Sequence, residues 1–105
     1  MEVIKLDEIE GNTNKRGVTA KAVLKNDDVQ VMNLILNPGD VVPEHSVPVN
    51  VFFYIIEGKG TLHIGDEKAV VEAKNIVTCP PSTKMALYAD QDEKFEVLNV
   101  KTPSL

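Results

Sequence analysis

Turn-forming residues interrupt this chain roughly every 8–12 residues, the spacing of an all-β sandwich or barrel. Between the interruptions lie short runs rich in Val, Ile, Leu and aromatics. No window of about 11 residues carries the period of a helix. The longest apolar run, Val51-Phe52-Phe53-Tyr54-Ile55-Ile56, has the length of a buried strand. Further strands are expected over 18–24, 29–36, 61–64, 68–72, 75–79, 85–89 and 94–100. Asn26-Asp27-Asp28, Asn37-Pro38-Gly39-Asp40, Gly65-Asp66-Glu67, Pro80-Pro81 and Asp90-Gln91-Asp92-Glu93 supply the turns. Gly58-Lys59-Gly60 reads as a tight reversal between two strands. The expected architecture is all-β: one small antiparallel barrel over residues 17–103, of roughly nine short strands. Residues 1–16 form an arm that covers an edge strand or pairs with a partner subunit.

Size and charge narrow the function. A chain of 105 residues supports one domain with one core. Its net charge of −5 repels phosphate backbones, and no Lys/Arg cluster with interleaved aromatics stands out, so no nucleic-acid partner is expected. No stretch approaches the roughly 18 apolar residues of a membrane helix, and no basic amphipathic helix is visible, so no membrane partner is expected. The first residues alternate and carry acids, unlike a signal peptide, which makes a cytoplasmic location the expectation. The lone Cys79 cannot form an internal disulfide and reads as a small buried hydrophobe.

From Pro38 to Ala89 the chain resembles the cupin superfamily, whose fold is a jelly-roll barrel. The first motif of that family runs Gly, five residues, His-x-His, three or four residues, Glu, six residues, Gly. Gly39, His45 and Gly58 keep that register. The second motif runs Gly, five residues, Pro-x-Gly, two residues, His, three residues, Asn. The segment Pro80-Pro81-Ser82-Thr83-Lys84-Met85 is similar to its proline portion, and Glu72-Ala73-Lys74-Asn75 stands where a Pro-Gly-Asp turn is common. In this register His45 matches the first family ligand. Val47 replaces the second His, Val51 the Glu, Met85 the last His and Ala89 the Asn.

The resemblance therefore implies the fold without the usual metal site. A catalytic metal needs about three protein ligands and an open position. Valine has no lone pair, and a thioether suits borderline ions poorly. No cofactor is expected. The alternative is a divalent transition metal ion with His45 as its surviving ligand, in a metal-dependent cupin enzyme of oxygenase or isomerase type. Glu44, His63 and Cys79 are the other available ligands, but adjacent strand residues face opposite ways. If the segment around His45 is extended, Glu44 should thus point away from His45, and His63 points away from Leu62 and Ile64. The same rule stops Ser46 pairing with His45 as a nucleophile. Tyr54 and Tyr88 read as packing residues.

Period two also places Val47, Val51, Phe53, Ile55 and Met85 on the barrel-facing side. Either these side chains fill the barrel, or they line a pocket for a small apolar or amphipathic molecule. In the second case His45 serves as polar anchor or general acid/base. A third possibility is an interaction module without small-molecule chemistry. Resemblance to small cupins implies a homodimer in every case. The apolar Val3, Ile4 and Leu6 of the arm and the Val97-Leu98-Asn99-Val100 strand are candidate contacts.

Overall fold

A computed structural model describes residues 1–105. A 3-10 turn at Leu6–Glu8 precedes nine strands: β1 (Asn12–Thr13), β2 (Thr19–Lys25), β3 (Gln30–Leu36), β4 (Val41–His45), β5 (Asn50–Ile64), β6 (Glu67–Glu72), β7 (Ile76–Cys79), β8 (Met85–Ala89) and β9 (Phe95–Thr102). The strands follow the order β1-β2-β3-β9-β5-β8-β4, and β6 and β7 each pair with β5 as well. Every pairing is antiparallel. The sheet curls into two layers that share β5. The first half of β5 pairs with β9 and β7, the second half with β8 and β6. The architecture is the expected all-β jelly-roll barrel in one domain.

One expected feature is corrected. Gly58-Lys59-Gly60 is not a reversal; β5 runs through it as a single 15-residue strand. An extra residue enters β5 opposite β9 between Ile55 and Glu57, and Gly58 follows at φ +83°. A bulge of this kind bends a strand instead of turning it back. A Cβ on Gly58 would overlap the Lys94 carbonyl, and one on Gly60 would sit 2.6 Å from the Phe95 ring. The glycines are there because β9 crosses β5 with no room for a side chain. The bulge also shifts the alternation. Val51, Phe53 and Ile55 face inward before it, and Gly60, Leu62 and Ile64 after it.

Val41–His45 was not expected as a strand, because Pro43 interrupts its apolar pattern. It pairs with β8 around a second bulge, which places one extra residue between Val42 and His45. Within residues 1–16, β1 joins the sheet beside β2, and Lys21 Nζ donates 2.9 Å to the Leu6 carbonyl, tying the arm down.

The core joins both layers. Phe53, Ile55, Leu87, Phe95, Val97 and Leu36 are fully buried, each contributing about 1.5–3 kcal/mol of apolar burial. Two residues hold the backbone where side chains are unfavourable. Lys74 (φ 75°) and Ser82 (φ 57°) are the non-glycine residues with positive φ. Counted from Pro80, they stand where the second cupin motif has its two glycines. Lys74→Gly and Ser82→Gly should therefore each stabilise the fold by about 0.5–1 kcal/mol, since relief of left-handed strain exceeds the entropy glycine adds to the unfolded chain. Urea unfolding measures this; unchanged or lowered midpoints would show the strain to be absent.

Candidate functional site

The chain crosses between the layers twice at one end of the barrel. Residues 46–49 join β4 to β5, and residues 80–84 join β7 to β8. The Ser82 amide donates to the Val47 carbonyl at 2.7 Å and ties the two crossings together. Register then sets what faces the interior here. On one layer His45, Met85, Ile64 and Glu67 form a row across β4, β8, β5 and β6. On the facing layer Cys79, Val51, Lys101 and Gln30 form a row across β7, β5, β9 and β3. We refer to this end as the mouth.

The β4 bulge decides how His45 stands. Simple alternation from the inward Val42 would turn residue 44 inward; the extra residue turns His45 inward instead. Glu44 faces out and meets Lys84 at 3.5 Å, an exposed pair worth little. His45 remains exposed at the rim, with Nδ1 3.0 Å from the Pro43 carbonyl. In the neutral ring Nδ1–H donates to that carbonyl, leaving the Nε2 lone pair free to accept.

The other sequence candidates lie on the same inner side. Val51, Phe53, Ile55 and Met85 are buried members of the core cluster, and Val47 packs half-buried against it. His45 alone of the six is open to solvent. Cys79 is buried, its Sγ 3.6 Å from the Pro80 carbonyl and 3.7 Å from that of Thr83. Burial pushes its thiol pKa up, so it stays a protonated, inert group. His63 faces outward against Tyr88, ring centroids 4.6 Å apart. A hollow of about 710 Å3 opens between the edge strands β6 and β7. Leu62, Ile64, Val71 and Val77 supply its apolar lining, and Lys68 and Lys74 also line it. None of the six sequence candidates lines it.

Sequence reasoning missed two residues. Along β9, Phe95, Val97, Asn99 and Lys101 alternate onto the inner face. Asn99 and Lys101 are only 4% and 9% exposed. Lys101 Nζ donates to Asn99 Oδ1 at 2.6 Å. No carboxylate pairs with the amine, since Glu44–Lys84 is the one ion pair in the chain. Burial pushes the Lys101 pKa below its ordinary value. The signal was available: the inward parity of Phe95 and Val97, carried two steps further, reaches both polar residues.

The Cupin domain family pattern matches residues 32–101. The chain belongs to the cupin family. Three solved cupin-fold structures illustrate the likeness. KdgF from Halomonas sp. has a TM-score of 0.90 at 17% identity, over 99% of this chain and 96% of that one. A predicted oxalate decarboxylase from Thermotoga maritima has 0.83 at 21%, over 98% and 100%. The polyketide cyclase RemF from Streptomyces resistomycificus has 0.87 at 13%, over 99% and 80%. At these identities the likeness concerns the fold. No curated protein matches, and no helix is long and apolar enough to cross a membrane.

The residues at this cupin's mouth do not fit the family metal. No three His, Cys, Asp or Glu side chains come together to hold an ion. Val51, where the family Glu would stand, pairs across β5 and β9 with Lys101, whose amine donates to Asn99.

The desolvated amine also has a stability consequence. Lys101→Met keeps the length of the side chain and removes the buried charge. It should raise stability at neutral pH on the order of 1 kcal/mol. The sign with pH follows from the lowered pKa. Between the folded value and the ordinary lysine value the unfolded chain binds more protons, so wild-type stability rises with pH across that window. The gap between variant and wild type should narrow there. Denaturant melts of both proteins at pH 7 and in the alkaline range check this; a variant less stable than wild type would contradict it.

Proposed function

We propose that this cupin works without a metal and takes a small apolar or amphipathic molecule between its layers at the mouth, next to His45. The observation that carries this reading is the composition of the mouth. Family ligand positions hold Val47, Val51 and Met85, and Val51, at the place of the acid, pairs across the sheet with Lys101, which has no carboxylate partner. Apolar walls with a few convergent polar groups are the ordinary make-up of a small-molecule site. His45 supplies a fixed acceptor at the rim. Whether the bound molecule is only held or also transformed turns on His45, the one imidazole on the inner side.

Metal analysis of protein purified without chelator is the first test. Substoichiometric Fe, Zn, Mn and Ni is the expected result. A stoichiometric metal that His45→Ala removes would replace this reading with the metal-dependent enzyme.

We also propose that the protein is a homodimer built on the outer face of the layer containing β9. Register lines up Val31, Val100 and Phe52 across that face, with Leu98, Tyr54 and Ile76 in the next outward row. Phe52 and Ile76 are 36% and 62% exposed. Exposed apolar side chains such as Phe52 and Ile76 on one face are candidate subunit contacts. Light scattering at micromolar concentration should give twice the 11.5 kDa chain mass, and Phe52→Glu should shift the protein toward monomer. A wild-type monomer would remove the proposal.

A further inference from the structure

The two layers stand apart at the hollow between β6 and β7. Each of these strands pairs only with β5, so each borders the hollow with a free edge. Register turns Glu67, Ala69 and Val71 of β6 inward, opposite Ile64, Leu62 and Gly60. It turns Val77 of β7 inward beside Phe53. Val71 is buried, yet Ala69 and Glu67 are exposed although they lie on the inner side. Inward residues that meet solvent mark a gap that no side chain fills. One end of that gap is fixed. The Lys74 amide donates to the Ile55 carbonyl at 2.8 Å, and the Ile55 amide donates to the Asn75 carbonyl at 3.0 Å. These bonds pin the β6–β7 turn to the bend of β5.

At about 710 Å3 the hollow has the volume of a small-molecule site. Its floor is apolar, made by Leu62, Ile64, Val71 and Val77. Its border is cationic. Lys68 and Lys74 line it against a single acid, Glu67, and neither amine pairs with a carboxylate. In a chain of net charge −5, two free amines around one apolar hollow are a local reversal of sign. An apolar floor with a cationic border matches a molecule that has an apolar chain and one anionic head. Lysine on a free edge strand opposes the addition of another strand, so Lys68 on β6 counts against a peptide as the occupant.

We propose that the hollow between β6 and β7 is a binding site for amphipathic anions, separate from the mouth. The apolar chain lies on Leu62, Ile64, Val71 and Val77, and the anionic head meets the Lys68 and Lys74 amines. The hollow shares no lining residue with the six candidates at the mouth, so it stands or falls apart from the metal-free reading.

The test is an NMR titration of the methyl-labelled full chain with octanoate and, as a probe of equal length and opposite charge, octylammonium, each below its micelle concentration. Octanoate should shift the methyl signals of Leu62, Ile64, Val71 and Val77 to saturation. Octylammonium should bind about 3- to 10-fold more weakly, the scale set by two exposed charge pairs. Lys68→Glu combined with Lys74→Glu should reverse that preference. Lys74→Gly, which should stabilise the fold, should alone weaken octanoate by about two- to fivefold, a loss that unfolding cannot produce. Ala69→Trp, which places a ring in the hollow, should abolish the shifts, and His45→Ala should leave them unchanged. Hollow methyls that ignore octanoate would overturn the site, as would equal binding of the two probes before and after charge reversal. Loss of binding on His45→Ala would overturn it by moving the ligand to the mouth. Methyl shifts that follow protein concentration with no probe present would overturn it by making the occupant a second copy of this chain.

Discussion

The architecture depends on the close crossing of β9 over the bend in β5. Gly58 and Gly60 lie under the start of β9, where neither position has space for a Cβ. The bend lets one strand serve both layers, so its first half carries Val51 and Phe53 and its second half Leu62 and Ile64. Without it the two sheets would be joined only by loops. With it, the short segments 46–49 and 80–84 close the same end, and the barrel acquires a defined mouth. The bulge after Ile55 belongs to the same device, since it keeps apolar residues inward on both sides of the bend.

Much of this was legible in the sequence, and what was not has a common cause. The strand at 85–89 and the inward set Val51, Phe53, Ile55 and Met85 follow from period two, because nothing disturbs the alternation within those segments. The reading failed where the backbone departs from simple pairing. Gly58-Lys59-Gly60 looks like a turn because two glycines are as suited to a reversal as to a close strand crossing; only the Phe95 ring, far along the chain, distinguishes them. The strand ending at His45 was hidden by Pro43, and its bulge cannot be read from composition. Lys101 was overlooked because a lysine near a strand end is usually solvated. Its burial arises from pairing with Val51, a contact between distant segments.

The second cupin motif separates backbone from chemistry. Lys74 and Ser82 adopt the left-handed conformations that glycines allow elsewhere in the family, so the turns they sit in have kept their shape while losing the residues that make that shape inexpensive. At the ligand positions of the family register the chain carries Val47, Val51 and Met85. The fold carries strained turns of an order of 1 kcal/mol each at Lys74 and Ser82 to hold this geometry.

That geometry also carries a buried amine. A barrel kept only as a scaffold could fill this end with apolar side chains, as β9 does further from the mouth at Phe95 and Val97. Two steps further the same face carries Asn99 and Lys101, in contact with each other and with no acid to balance them. A substitution as small as lysine to methionine would relieve the cost, which makes the amine a departure from good packing. The family motif sets three imidazoles and one carboxylate around its ligand position; in this chain Val51, at the carboxylate's place, pairs across the sheet with Lys101, whose amine is held by Asn99.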